Sequence, residues 1–409
     1  MRVRPGRPGH SGRPGHSGLR GVGVGCVALV VLSVSGVTGF TGVTSATAGA
    51  DANRRQAPAG ASSEPLRTLT VVATGDIMVE TPIKTAGAEF AAAAGTGARF
   101  DFQPLFAPLT PYLEAADVAI CHMEFPIGVP GEQAGSYGSN GNGAQKWLAP
   151  YEIADGARRA GYTRCSTASN HSNDLGDAAI NSTLDALDAA GLTHVGTART
   201  PEEAEVATFE ANGVRVAHLA YTKSNNMTDP AEWRLDKADM GAIVADVQQA
   251  RALGAEVVIV SLHLGAELHE TPLGRDRQFV EELTAAVRID AIVHHGPHVI
   301  QGYDRVNGVP VYWSLGNHMS GMGRAAVGKY VDPRTLDGLM AVLRFEEQHD
   351  GTFRAIPSAI LLCEDVQNRI VYPALAALTG DAAATLDPRT ANRIEQCVKR
   401  SAEVLRGVG

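Results

Sequence analysis

The chain has no Cys-x-x-Cys pair and no zinc-ribbon spacing, which excludes a structural zinc of that kind. It has no apolar run long enough to be a comfortable membrane span. The longest, GVGVGCVALVVLSVSGV, falls short of the roughly 20 residues a helix needs to cross a bilayer. It has little positive charge, with 35 Lys and Arg against 44 Asp and Glu in 409 residues. The basic residues are also unevenly placed. Five arginines and no acid lie before Asp51, so the remainder carries 30 basic against 44 acidic side chains, a formal net charge of −14. An acidic surface of that kind excludes nucleic acid as the expected partner. No internal repeat follows residue 51.

The basic, apolar and small-residue order of residues 1–50 is that of a secretory signal peptide or N-terminal anchor, with Ala46-x-Ala48 or Ala48-x-Ala50 as the cleavage site. Cys26 precedes most of the apolar run and is badly placed for a lipoprotein cysteine. Residues 51–65, rich in Ala, Ser, Pro and charge, read as a flexible linker, and residues 66–409 as the folded domain. The expected location is secreted or membrane-anchored and extracellular, with the membrane touched only through the anchor. A cytoplasmic protein is the alternative if the start lies too early, and the repeated RPGHSG of Arg7–Gly12 and Arg13–Gly18 keeps it open. Four cysteines remain beyond residue 50. Exported, they would pair as Cys121–Cys165 and Cys363–Cys397; otherwise they are buried thiols.

Short β-branched runs alternate with alanine-rich amphipathic runs from Leu69 onward, which predicts an α/β fold with helices outside a sheet. Nearly every apolar run ends in residues that bind cations or move protons. VVATGD ends at Asp76, VAICHME at His122 and Glu124, and TASNHSNDLG at Asn170, His171 and Asp174. IVSLHLGAE ends at His263 and Glu267, AIVHHGPH at His294, His295 and His298, and YWSLGNH at Asn317 and His318. Each piece alone has a plain explanation: a turn for Asp76, a helix cap for Asp174, a loop histidine for His171. Their repetition at strand ends is what counts, because ligand sites in α/β sheets lie off those ends. The Asp, Asn, His and Glu set suits a divalent cation such as Mn, Zn, Fe, Mg or Ca. His218, in the middle of VAHLAY, reads as a core histidine. Gly128–Gly143 reads as a surface loop over the site.

Taken in order, GDIMV, CHMEFPI, SNHSNDLG, HLGAEL, HHGPHVIQG and YWSLGNH resemble the CapA family, named for capsular poly-γ-glutamate synthesis. The resemblance runs from about Leu69 to His318 and in fold to about Cys363. It implies a calcineurin-like metallophosphatase fold: a two-sheet β-sandwich flanked by helices in αββα layers. The family's first-strand Asp falls on Asp76, its Asn-His pair on Asn170-His171 and its C-terminal histidines on His295 and His298. The chain departs from the metallophosphatase pattern at Met78, at His122 and at Gly296.

On that resemblance the expected metal ligands are Asp76, Glu124, Asn170, His263 and His298. His171, Asp174, His295 and Asp76 are the expected catalytic groups, with His122, Glu267, His294 and Asn317 supporting substrate or ligands. Three functions stay open. One is metal-assisted hydrolysis or transfer on a peptidyl or poly-γ-glutamyl substrate, with His171 as the acid oriented by Asp174. Another is epimerisation of a peptide at Cα by the pairs His295/Asp76 and His171/Asp174. The third is a non-catalytic polymer-binding or scaffold role in capsule synthesis.

Overall fold

The computed structural model describes residues 66–322 and 332–406. The predicted signal peptide and linker lie outside these residues. The N-terminal part runs β1 (Thr68–Ile77), α1 (Thr81–Ala94), α2 (Gln103–Phe106), α3 (Thr110–Glu114), β2 (Val118–Met123), β3 (Gly135–Ser139), β4 (Gln145–Leu148), α4 (Glu152–Ala160), β5 (Arg164–Ser166), α5 (Asp177–Ala190) and β6 (Thr193–Val195). The middle continues with β7 (Phe209–Ala211), β8 (Val214–Thr222), α6 (Met240–Ala252), β9 (Val257–His263), α7 (Gly274–Ala286), β10 (Ala291–His295), β11 (Ile300–Val306), β12 (Val309–Leu315) and β13 (Asn317–Met319). The end of the chain adds β14 (Asp337–Glu347), β15 (Phe353–Glu364), β16 (Val371–Pro373), α8 (Ala374–Leu378), α9 (Gly380–Thr385) and α10 (Pro388–Arg406).

The strands form two large sheets and the β3–β4 hairpin. One large sheet has the order β16-β15-β14-β1-β2-β5-β6 with β13 beside β1; the other has the order β11-β12-β10-β9-β8-β7. The strand sequences explain the layers, because side chains alternate between faces. Val118 and Ile120 of β2, Val257 and Ile259 of β9, and Ala291 and Val293 of β10 fill the core between the sheets. Their neighbours point the other way. Ala119 and Cys121 meet Ile153 and Ala157 of α4, while Val258 and Ile292 meet Ile243 of α6 and Leu283 of α7. This is the αββα sandwich that the family resemblance implied. No helix among the described residues is long and apolar enough to cross a membrane.

Both expected cysteine pairs are joined, Cys121 to Cys165 across adjacent strands and Cys363 to Cys397 between β15 and α10. The second closes a loop of 34 residues, and cross-links of that reach stabilise by roughly 3–4 kcal/mol through the unfolded chain. Replacing Cys363 and Cys397 together by serine should lower the thermal midpoint measured by calorimetry. An unchanged midpoint would show that the bond carries no stability.

Candidate metal centre and acid–base pairs

The alternation that builds the inter-sheet core also builds the site. On β2 the inward positions Val118 and Ile120 are followed by His122 and then Glu124. On β9 the inward series ends at His263, and on β10 at His295. Polar groups thus replace apolar ones where the strands end, still between the sheets. Asp76 reaches the same layer through a bulge. Three residues of β1, Ala73 to Asp76, advance against two of β2, Ile120 to His122. Unbroken alternation would have left Asp76 on the helix side with Val72; the extra residue turns it inward. Gly75 permits this, since a Cβ there would lie 2.0 Å from the Gly316 carbonyl oxygen.

Asp76, His122, Glu124 and His263, all buried, each offer a ligand atom within 4.8 Å of the others. Both oxygens of the Asp76 carboxylate have partners. Oδ1 accepts from His295 Nδ1 at 3.0 Å, Oδ2 accepts from the Gly296 amide at 3.1 Å, and Oδ2 lies 3.0 Å from His298 Nδ1. Burial alone would raise its pKa, but the bonds from His295 and His298 outweigh that and hold it well below the usual range. His298 in turn, against the downward pull of burial, is pushed up to about 10 by Glu124 and Asp76. It adopts φ 58°, a costly conformation for a histidine.

Glu124 is different. It is 0% exposed, and neither carboxylate oxygen has a hydrogen-bond partner among the described residues. The His298 Nε2 stands 3.7 Å from Oε1, beyond bonding distance. Burial, reinforced by Asp76, pushes its pKa well above the ordinary value. Burial pushes His122 and His263 the opposite way, His263 to about 3, and the His295 ring stacked 3.9 Å from His122 adds to the effect. Both imidazoles are therefore neutral, the form that ligates metal. Two carboxylates, one without any donor, and two neutral imidazoles fit a divalent cation. A second carboxylate–histidine group, Asp188, His194 and Glu203, is more exposed, and the Arg199 guanidinium already bonds both acids.

The predicted acid–base pair, His171 and Asp174, lies beside this cluster. His171 Nδ1 is 2.7 Å from Asp174 Oδ2, which also accepts the Trp147 backbone N–H at 2.7 Å. The Phe125 ring presents its edge to His171 with centroids 5.0 Å apart. The Asn226 amide nitrogen lies 3.4 Å from both ring nitrogens. Asn226 is itself held by its backbone N–H to the Asn170 carbonyl at 2.8 Å and by the Asn140 side chain on its own carbonyl. The stretch read as a surface loop is in part the β3–β4 hairpin. The hairpin is bonded to Asp174 through the Trp147 backbone N–H, and Asn140 in its turn bonds the Asn226 carbonyl.

Of the ligands expected from sequence, Asp76, Glu124 and His263 are among the four clustered side chains. His122 joins them, its Nε2 3.0 Å from His263 Nδ1 and its Nδ1 2.7 Å from Ser166 Oγ. Asn170, an expected ligand, is half-buried, with Oδ1 unpartnered among the described residues and its amide toward Asn226 at 3.4 Å. His298, another expected ligand, touches two of the four. Asn317 accepts from His298 Nδ1 at 3.0 Å and is fixed by Ser320 and the Thr335 carbonyl. Glu267 is exposed in the loop after β9 and acts on Glu124 and His298 only through its charge. His294 does not join the site. It shares the outer face of β10 with Ile292, its ring 5.3 Å from Trp313. His318 likewise stacks on Phe106 at 5.1 Å, and His218 is a core residue bonded to Arg164 and Ser261.

Two departures from the metallophosphatase pattern have physical reasons. Met78 is buried in the helix-side core. At Gly296 φ is 100° and a Cβ would sit 3.0 Å from His263 Nε2 and from the Leu264 carbonyl oxygen, so a histidine there would be strained and crowded. Nothing in the sequence signalled Ser166, Asn226 or the Gly296 amide, which act through position rather than residue type.

A profile described as bacterial capsule synthesis protein PGA_cap matches residues 70–322. Among curated proteins, the capsule biosynthesis protein CapA of Bacillus anthracis is 26% identical over 265 residues, 62% of this chain and 60% of that one. The PGA biosynthesis protein CapA of Bacillus subtilis strain 168 is 26% identical over 201 residues, 48% of this chain and 50% of that one. The chain thus spans between half and three fifths of these relatives. Similar solved structures include the calcineurin-like phosphoesterase YfkN from Bacillus subtilis, at 14% identity and TM-score 0.41, covering 83% of this chain and 99% of that chain. A 5'-nucleotidase precursor from Thermus thermophilus shows 16% identity and TM-score 0.41, covering 73% of this chain and 55% of that chain.

Proposed function

This chain belongs to the bacterial capsule synthesis protein family PGA_cap, and from that premise we propose that it is a divalent-metal-dependent enzyme acting on a peptidyl or poly-γ-glutamyl envelope substrate by hydrolysis or transfer. One observation carries the reading: Glu124 is fully buried with both carboxylate oxygens lacking any donor among the described residues, beside two histidines held neutral. Asp76, Glu124, His122 and His263 would hold the cation, and the mixed nitrogen and oxygen donors favour Zn, Mn or Fe over Mg or Ca. A cation there lowers the pKa of water and polarises a phosphoryl or carbonyl oxygen. His295 and His298 fix the Asp76 carboxylate. His171 delivers a proton from Nε2 to the leaving group while Asp174 holds Nδ1. The N-terminal pattern supports a secreted or anchored enzyme whose folded part is residues 66–409.

A specific observation favours a second reading, epimerisation at a peptide Cα. The structure has two His/Asp pairs, His171–Asp174 at 2.7 Å and His295–Asp76 at 3.0 Å, and His295 Nε2 is buried with no partner among the described residues. One imidazole would remove the Cα proton and the other would return one.

A single experiment separates these readings. The full chain is assayed for metal by mass spectrometry, then incubated with γ-glutamyl peptides in D₂O with and without chelator. Chelator-sensitive cleavage supports the first reading. A chelator-sensitive gain of one deuterium without cleavage supports the second. Bound metal with neither product moves the protein to the scaffold role, and full activity in metal-free protein removes the metal from all of them.

A further inference from the structure

Cys121 of β2 and Cys165 of β5 stand opposite each other, and the next opposed pair is His122 and Ser166. The cysteines point to the helix layer, where their disulfide closes. Alternation then turns His122 and Ser166 between the sheets, 1% and 0% exposed. The bridge thus ties the two strands together one residue before His122 Nδ1 meets Ser166 Oγ at 2.7 Å.

A neutral imidazole has one N–H and one lone pair, and it ligates a cation through the nitrogen that carries no proton. His122 Nε2 is the nitrogen that faces the cluster, 3.0 Å from His263 Nδ1. For Nε2 to offer its lone pair, the proton has to reside on Nδ1, and Nδ1 then needs an acceptor. Ser166 Oγ is the atom that bonds it among the described residues. The hydroxyl has a place for its own proton, because the Cys121 carbonyl oxygen lies 3.4 Å from Oγ. Donation therefore runs in one direction, from His122 Nδ1–H to Ser166 Oγ and from the Ser166 O–H to the strand. Both side chains are sealed from solvent, so bulk water does not supply that acceptor. The ring plane is fixed separately by His295, stacked at 3.9 Å.

A second buried pair in the same layer shows a serine in this part. Arg164, two residues before Ser166 on β5, can only donate, and its Nε bonds His218 Nδ1 at 3.1 Å. The proton of the neutral His218 is thereby placed on Nε2, which donates to Ser261 Oγ at 2.9 Å.

We infer that Ser166 is a positioning residue for the metal site: its hydroxyl selects the His122 tautomer whose Nε2 lone pair is turned to the cation. The inference rests on the proposal that His122 is a ligand. It follows from the imidazole at this position, since a carboxamide would bind through its oxygen and would need no such partner.

The test strips the full chain of metal and titrates it with Zn²⁺ and, separately, Mn²⁺ against a competing chelator. Ser166→Ala should weaken the tighter-held cation about 10–100-fold, the scale for a lost partner behind a metal-bound histidine. In a His122→Asn background the same change should cost less than about twofold, because no tautomer is left to select. Nitrogen-15 NMR of the metal-free protein is the second readout. The His122 proton should sit on Nδ1 in the wild type and move toward Nε2 in Ser166→Ala. Wild-type affinity in Ser166→Ala overturns the inference, as does an unmoved proton. An equal loss in both backgrounds also overturns it, since that marks a structural role. A wild type that takes up neither cation removes the metal reading itself, and the inference with it.

Discussion

Glu124→Gln should lose its divalent cation and, with it, at least three orders of magnitude of turnover, while the metal-free variant melts higher than the metal-free wild type. The loss corresponds to about 4 kcal/mol of transition-state stabilisation, the scale expected when a cation that polarises the reacting oxygen is removed. The gain in the metal-free state follows from the same environment. A buried carboxylate with no donor costs about 1–3 kcal/mol, and glutamine keeps its shape without its charge. The sign with pH is fixed as well. Because burial raises the folded-state pKa of Glu124 above its unfolded value, its destabilisation is absent at low pH and grows as pH rises through the folded-state value. The advantage of the glutamine variant should therefore widen toward alkaline pH. Denaturation curves on chelated protein check this. A variant that is less stable than the metal-free wild type at every pH would mean that Glu124 has a structural partner and is not a ligand awaiting a cation.

The second large effect is expected at His171. His171→Ala should cut turnover by roughly 10²–10⁴-fold, the range for a lost general acid or base, with metal content unchanged. The imidazole bonds Asp174 through Nδ1 at 2.7 Å, which leaves Nε2 as the proton-carrying atom. Asp174→Asn should produce a loss of similar order, because an amide in that place can offer Nδ1 a donor and select the wrong tautomer. Asp174 also accepts the Trp147 N–H, so its loss should loosen the β3–β4 hairpin as well, seen as faster amide exchange at residues 135–148. Metal analysis and steady-state rates on both variants decide the matter. Near-normal rates in His171→Ala would remove its catalytic role and leave the hydrolytic reading without an acid.

The layer plan and the gathering of the candidate site residues at strand ends were legible in the sequence for one reason. Strands buried on both faces read as apolar runs, and each run changes character at its carboxyl end. VRVAHLAYT is β8 from first to last residue, and DAIVHH contains β10. The runs that escaped reading carry polar or proline residues. β11, IQGYDRV, sits at a sheet edge, and β15, FRAIPSAILLCE, is partly exposed on both faces and holds Pro357. Within the site, residue type alone could not tell His294 from His295, since only the pleat decides which of two neighbours faces the other sheet. Asp76 shows the reverse problem. Counting alternate residues along β1 points it to the wrong layer, and only the register shift opposite β2 brings it to His295. Asn226 was illegible because its use depends on a loop folding back to the 170–174 turn.

The way Asp76 is held also has a consequence for how the chain matures. Its partner His295 is 219 residues away in sequence, and the strand that carries Asp76 pairs along most of its length with β14, which ends at Glu347. Contacts of such separation form late and slowly, because loop-closure entropy must be overcome first. A product that stops short of β14 lacks the strand along which most of β1 is aligned. Cation uptake should coincide with the last cooperative step of folding, which makes metal retention a report on whether the polypeptide has been completed.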